Sequence, residues 1–241
     1  MVNPVFKVVY DNYKVENDMK TAHGFSCFIE SDNKNILFDT GSDGDILLSN
    51  MKKMNISPES VDIIVLSHNH WDHVDGLPAV LEQNNKVKVY ILRSFGGSVR
   101  ENIGKHNLFC VEVDKPLEIL KDVYSTGEMG IAVREQSLIF DTDRGLVIIT
   151  GCAHQGIIKA VERSKEILNR KIHLVFGGFH LVDKSEGDIS GIIEGFKMLG
   201  VNFVGPSHCT GEVGIKMFAD AYQSRFIKVG AGKVISIDSL S

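Results

Sequence analysis

Seven consecutive residues, Ser67-His68-Asn69-His70-Trp71-Asp72-His73, hold four side chains able to bind a metal ion: His68, His70, Asp72 and His73. Bare imidazoles and a carboxylate gain little from being crowded in water, whereas a divalent cation turns the crowding into binding. In extended or tightly turning chain, side chains two apart share a face, so His68 and His70 can grip one ion. Asp72 and His73 fall past the turn and can point at a second position. The chain has only nine histidines, which makes a chance gathering in a solvated loop a poor explanation. The chemistry on offer is that of a metal site.

The elements that must position these residues are buried strands. Val61-Asp62-Ile63-Ile64-Val65-Leu66 is an apolar run of strand length leading into Ser67-His68, and Val201-Asn202-Phe203-Val204-Gly205-Pro206 leads into Ser207-His208 at the same offset. Leu146 to Thr150 runs into Gly151-Cys152-Ala153-His154, Ile172 to Phe176 into Gly177-Gly178-Phe179-His180, and Asn35 to Phe38 into Asp39-Thr40-Gly41. Each strand delivers a His or Asp just past its C-terminal end. Strand ends on a common edge are a rigid way to gather ligands distant in sequence.

The 241 residues are 43% hydrophobic, enough to bury a substantial core, and carry a net charge of -5. This balance gives no reason to expect a nucleic-acid partner. No apolar run approaches membrane-spanning length, and the first residues lack the layout of a signal peptide. A cytoplasmic protein acting on a small molecule, without nucleic acid or membrane, is expected; the oligomeric state is open. The four cysteines are too dispersed for a disulfide scaffold. Cys27 and Cys110 read as reduced buried thiols, while Cys152 and Cys209 adjoin ligand histidines and are packing residues or ligands.

Along the chain, strands are expected over Phe6–Tyr10, Phe25–Ile29 and Ile36–Phe38. Helices are expected over Asp43–Met54, with Ile46, Leu47, Met51 and Met54 on one face, and over Asp75–Gln83. Ser57-Pro58 reads as an N-cap followed by Pro at the first helical position. Val87–Leu92 is a strand. Arg93 to Asn107, with three glycines among Arg93, Arg100, Lys105 and His106, reads as a mobile segment with one helical turn and a candidate lid. Short strands fill Leu108–Ile149. Apolar stripes (Ile157, Ile158, Val161, Leu168; Ile189, Ile192, Ile193, Phe196, Leu199; Val213, Met217, Phe218, Ala221) then mark three helices before a closing strand Val234–Ile237. No linker interrupts the pattern, so one compact domain of sheets between helix layers is expected.

The run from His68 to His73 resembles the His-x-His-x-Asp-His signature of the metallo-β-lactamase superfamily, and Phe38-Asp39-Thr40-Gly41 resembles its strand-end aspartate. The likeness covers essentially the whole chain. It implies an α+β fold, a four-layer αββα sandwich in a single domain over residues 1–241, with a two-metal site at one edge of the paired sheets. Gly151-Cys152-Ala153-His154-Gln155-Gly156-Ile157, Gly177-Gly178-Phe179-His180-Leu181 and His208-Cys209-Thr210-Gly211 look like the branch labelled dihydropteroate-synthase-like or methanopterin-precursor synthases. In that labelling a dihydropterin is joined to a ribofuranosyl-aminobenzene phosphate.

The resemblance implies that His68, His70 and His154 bind one ion and that Asp72, His73 and His208 bind a second. It implies zinc at both, the second site partly filled, with Mn2+ or Fe2+ as alternatives. Asp39 would orient ligands from behind, and Asp72 and His180 would serve catalysis, His180 facing substrate or supporting a ligand. The superfamily pattern has an acidic bridging residue where this chain has Gly151-Cys152, so the bridge is Cys152, water alone or absent. His23, His106 and His173 are expected to be ordinary surface or core residues.

Hydrolysis fits this set, since a metal held by imidazoles with an open position lowers the pKa of bound water to about 7. The expected substrate is a small ester, lactone or phosphate-containing molecule. The alternatives are the pterin-related synthase, with Arg93 or Arg100 gripping a phosphate, and a metal-bearing sensor with little turnover. A di-iron redox enzyme is disfavoured by His70, where such enzymes carry Glu, and a nuclease by the charge balance.

Overall fold

The computed structural model describes residues 2–31, 34–106 and 108–240. These form two compact units, one of Asn3–Asp114 with Gly230–Ser241 and the other of Lys115–Val229 with Met1–Val2. Each has its own sheet.

In the first unit the strands are β1 (Val5–Tyr10), β2 (Ser26–Ser31), β3 (Lys34–Phe38), β4 (Ile63–Val65), β5 (Lys88–Leu92) and β6 (Cys110–Val113), with the C-terminal strand Val234–Ser236 on the outer edge of β1. β1, β2 and β3 pair antiparallel, whereas β3, β4, β5 and β6 run parallel. The parallel strands read as near-continuous apolar runs because a sheet covered on both faces has no solvent side. Ile36, Leu37, Phe38, Ile64, Val65 and Ile91 are fully buried, each stabilising the unit by about 1.5–3 kcal/mol. Parallel pairing has a consequence for chemistry: β3 and β4 end at the same edge, with Asp39 after one and Ser67-His68 after the other.

Helix α1 (Gly44–Lys53) starts where expected, because the Asp43 side chain accepts a hydrogen bond from the Ile46 amide at 3.0 Å. Its inner face is Leu47, Asn50 and Met51 rather than the purely apolar set expected. Asn50 is buried because the backbone around Val9 and Lys20 satisfies its amide. Pro58–Ser60 is a single 3-10 turn, and Ser57 makes no side-chain cap. The run from His68 to His73 itself enters a short helix, α2 (Trp71–Val74), followed by α3 (Leu77–Gln83).

The segment after β5 differs from expectation. Ser98–Lys105 is a helix of two turns, α4, not one turn in a mobile segment. Val99 and Ile103, four apart, supply the buried face that periodicity among so many glycines obscured. Arg100 is tied down by Glu112 at 2.6 Å and by the carbonyls of Phe95 and Arg93. Arg93 pairs with Asp114 at 2.9 Å. Both arginines, expected to await a substrate anion, thus have protein partners. Asn107, the last residue of the expected lid, lies outside the described residues.

The second unit contains β7 (Leu117–Leu120), β8 (Val123–Ser125), β9 (Leu138–Thr142), β10 (Gly145–Thr150), β11 (Ile172–Gly178) and β12 (Phe203–Ser207), in the order β12-β11-β10-β9-β8-β7. β10, β11 and β12 are parallel, the rest antiparallel. Helices α5 (Ile157–Leu168) and α6 (Glu186–Met198) carry the expected stripes, whereas α7 (Gly211–Tyr222) buries Gly214, Phe218 and Tyr222 and leaves Val213 of its expected stripe exposed. Ile157, Val161, Ile189, Ile193, Phe196 and Phe218 fill the core, and Phe179, Phe196 and Phe218 pack with ring centroids 5.3–5.4 Å apart. α6 opens with a capping box between Ser185 and Asp188. The three parallel strands again finish at one edge, where the loops bearing Cys152-His154, His180 and His208-Cys209 begin. Among the described residues no helix is long and apolar enough to cross a membrane.

Candidate metal centre

In the first unit the ligand run is keyed by one fully buried carboxylate, Asp39. Its backbone sits at φ 59, a left-handed conformation that a side chain adopts only when its surroundings enforce it. Oδ1 accepts the Ser67 amide at 2.7 Å, and Oδ2 accepts the Ser67 hydroxyl and Nδ1 of His73, both at 2.7 Å. Thr40 fastens the same loop by donating its amide and hydroxyl to the His73 carbonyl. Gly24 approaches from the other side: a Cβ there would lie 2.3 Å from the Asp72 carbonyl oxygen, so only glycine allows the contact.

These bonds fix tautomers. The Ser67 hydroxyl spends its single proton on Asp39, so towards Nδ1 of His68, 2.9 Å away, it can only accept. His68 therefore carries its proton on Nδ1 and keeps Nε2 bare. Asp39 likewise accepts the proton of a hydrogen bond from Nδ1 of His73, which turns Nε2 of that ring towards Asp72. The bare Nε2 of His68 lies 3.1 Å from Nδ1 of His70, and Nε2 of His73 lies 3.3 Å from Oδ2 of Asp72. Donors held about 2.0–2.1 Å from a tetrahedral zinc stand about 3.3 Å apart. Both pairs therefore fit an ion. Burial lowers the pKa of His73, but Asp39 and then Asp72 outweigh it and raise it to about 10. The two carboxylates thus favour a positive charge at this ring.

His23, expected to be an ordinary residue, is placed at this cluster. Its Nε2 is 3.2 Å from Oδ2 of Asp72 and its ring stands 5.6 Å from that of Trp71. No spacing rule links residues so far apart in sequence. His106, by contrast, caps α4, and His173 is buried against Phe203.

In the second unit the keying carboxylate is Glu135, fully buried and missed by sequence reasoning. It accepts three successive backbone amides: Cys152 at 2.8 Å and Ala153 at 2.7 Å on Oε1, and His154 at 2.8 Å on Oε2. A lone Glu in an isolated bridge opposite Met129 gives no signal of this. Ala153, His180 and His208 have φ of 64, 53 and 49, so three non-glycine residues in left-handed backbone follow three neighbouring strand ends. Such strain gathers where function requires it.

The side chains behind these loops converge. Sγ of Cys152 lies 3.4 Å from Nε2 of His208, consistent with the role as a ligand neighbour expected for it. The rings of His154 and His180 have centroids 4.2 Å apart. Cys152, His180 and Cys209 bring one donor atom each to within 4.8 Å of one another. Burial raises the Cys209 thiol, but hydrogen bonds to Cys152 and His180 and the charge of His208 prevail and hold it well below the ordinary thiol range. The Cys209 partner raises the pKa of His180. Both amide atoms of Gln155, beside His154, are buried without a hydrogen-bond partner.

Comparison with known proteins agrees with this donor chemistry. Residues 21–95 match the model of the metallo-beta-lactamase superfamily. The chain is 30% identical to 7,8-dihydropterin-6-methyl-4-(beta-D-ribofuranosyl)-aminobenzene-5'-phosphate synthase of Methanocaldococcus jannaschii, over 88% of this chain and 89% of that protein. It is 33% identical to an uncharacterized protein of the same organism, over 97% and 100% of the two chains. Among solved structures, Tm1679, described as a metal-dependent hydrolase of the beta-lactamase superfamily, is similar with a TM-score of 0.81 and 28% identity over 96% of this chain and 98% of that one. The α+β fold class expected from the sequence is the one found. The chain belongs to the metallo-β-lactamase superfamily, in the branch that contains the methanopterin-precursor synthase, and a metal cofactor is what that fold implies.

Proposed function

We propose that this chain is a metal-dependent enzyme of hydrolase type, working as one cytoplasmic domain on a small ester, lactone or phosphate-containing substrate. The observation that carries the reading is the gathering of His68, His70, Asp72 and His73 after one strand, with Nδ1 of His68 and His73 held by Ser67 and Asp39 so that Nε2 of each ring faces another donor of the cluster. His68 and His70, with His154, are assigned to one ion; Asp72 and His73, with His208, to the other. The inclusion of His154 and His208 rests on membership of the superfamily. Imidazole and carboxylate donors suit zinc, with manganese or iron(II) as alternatives. Four cysteines outside any disulfide and the acidic charge balance support the cytoplasmic setting and the lack of a nucleic-acid partner.

Bound at these residues, the ions would supply Lewis acidity and lower the pKa of a water they hold to about 7. The chain's own residues do the rest. Ser67 and Asp39 hold protons at Nδ1 of His68 and His73, so neither ring can change tautomer during turnover. Nε2 of His23, 3.2 Å from Oδ2 of Asp72 on a half-exposed ring, is placed to carry a proton between the site and solvent. Glu135 keeps the Cys152–His154 backbone in its strained form.

A second reading, joining of two substrates, is favoured by the near full-length similarity to the pterin-related synthase. The two separate in one assay series. The metal-loaded protein is given an aryl ester, a lactone or an aryl phosphodiester singly, and a dihydropterin with a ribofuranosyl-aminobenzene phosphate together. Release of product from a single substrate, abolished by a chelator and restored by zinc, supports hydrolysis. Consumption only of the pair replaces it by synthesis, and saturable binding without product in every arm defeats both.

A further inference from the structure

We propose that Cys152, His180 and Cys209 form a separate soft-metal site that takes one thiophilic ion, zinc or copper(I), beyond the two ions assigned above. The three donors come from the loops after β10, β11 and β12 and lie in one unit, within 4.8 Å of one another. Thiolate sulfur at about 2.3 Å and imidazole nitrogen at about 2.0 Å from a tetrahedral ion stand about 3.5–3.8 Å apart, so small rotamer changes close the set on an ion.

Three features single this cluster out from ordinary packing. The His180 ring is hydrogen-bonded to the Cys209 thiol, while its Nδ1 is buried without a hydrogen-bond partner, so the thiol anchors the ring in the cluster. His180 itself stands at φ 53, so the backbone is strained to put the ring there. Gly178 keeps the thiol's space open: a Cβ at that position would lie 2.7 Å from Sγ of Cys209 and 2.2 Å from the carbonyl oxygen of Gly151. A disulfide between Cys152 and Cys209 would use the thiols and leave the imidazole idle, whereas an ion uses all three donors. Two thiolates and one imidazole select zinc or copper(I) against magnesium, calcium or manganese. Three protein donors also leave a fourth position open, the arrangement of a reactive rather than a structural zinc. Sγ of Cys152, 3.4 Å from Nε2 of His208, is placed to be shared with the ion assigned to that histidine.

Cobalt(II) reports the site, because thiolate ligands give it a charge-transfer band that imidazole and carboxylate do not. The reduced, metal-stripped full chain is titrated with cobalt under argon, alongside His68→Ala/His70→Ala, Cys209→Ser and His180→Gln. The band should appear in the wild type, persist in His68→Ala/His70→Ala, and vanish or halve in Cys209→Ser. His180→Gln should keep the sulfur band while weakening cobalt binding by about 10–100-fold, the scale of losing even an indirect ligand contact. X-ray absorption of the zinc-loaded wild type needs no cysteine variant and should show zinc–sulfur scattering at about 2.3 Å. No thiolate band and no zinc–sulfur scattering would overturn the proposal. So would a band undiminished in Cys209→Ser, for the sulfur would then be Cys152 serving the ion assigned to Asp72, His73 and His208.

Discussion

Two buried carboxylates do similar work in different ways. Asp39 reaches across from the end of β3 and bonds side chains, the Ser67 hydroxyl and the His73 ring, as well as one amide. Glu135 holds backbone, accepting three amides in a row. Asp39 therefore sets the protonation state of ligands, while Glu135 sets the path of the chain that carries them. The first kind of support is chemical and the second conformational, and substitutions separate them.

The largest effect is expected from His68→Ala/His70→Ala, which removes donors outright. Metal content measured by elemental analysis should fall by at least one ion per chain, and turnover should fall by about 100-fold or more, beyond the loss typical of an indirect ligand contact. Full activity in a metal-free variant would break the comparison at its root. Asp39→Ala comes next, because it strands His73 and Ser67 in the core. A loss of about 3–5 kcal/mol is expected on denaturant titration, the cost of breaking a buried charged pair. Asp39→Asn sharpens the point: it preserves shape but can turn a donor towards Nδ1 of His73, so metal affinity should drop by about 10–100-fold.

Glu135→Gln should do less to the metals and more to the fold. An amide group facing three N–H donors loses charge-assisted bonds of about 1.5–3 kcal/mol each in the strongest case, and part of this should appear as a lower melting temperature. If Glu135→Gln instead removed metal without lowering stability, the carboxylate would be a ligand and the contrast with Asp39 would vanish. Smaller still is Arg93→Ala/Arg100→Ala. These arginines are engaged by Glu112 and Asp114 at the surface, where such pairs contribute about 0–1 kcal/mol. Phosphorylated and dephosphorylated substrates should suffer alike; selective loss of the phosphorylated one would restore the anion-binding role.

The smallest effect is a pH dependence in the second unit. Burial first, then Arg144 and Lys171, lower the pKa of His173 in the folded state. The unfolded chain then binds more protons, so stability is present above the ordinary histidine pKa of about 6.5 and is lost as pH falls below it. Melting temperatures between about pH 7.5 and 5 should fall more steeply for the wild type than for His173→Gln. Equal slopes would show that His173 does not contribute.

Much of the first unit was legible because its signals are local. His68 to His73 sit in one run, and Ile63-Ile64-Val65 announces the strand that delivers them. Asp39 was found because a strand-end aspartate before Thr-Gly has a recognisable form. Glu135 and His23 were not, since each acts on a loop far away in sequence and leaves no periodicity behind. The α4 helix escaped for a different reason: Gly96, Gly97 and Gly104 mask an apolar face of only two residues, Val99 and Ile103. The role of Cys209 showed only as proximity to His208, because its partners come from two other strand ends.

Diffraction from crystals of protein purified without added metal, with anomalous data collected above and below the zinc absorption edge, tests the central claim most directly. The account predicts anomalous peaks beside Nε2 of His68 and Nδ1 of His70, and between Nε2 of His73 and Oδ2 of Asp72. A catalytically active crystal with no peak at either pair of donors would contradict it.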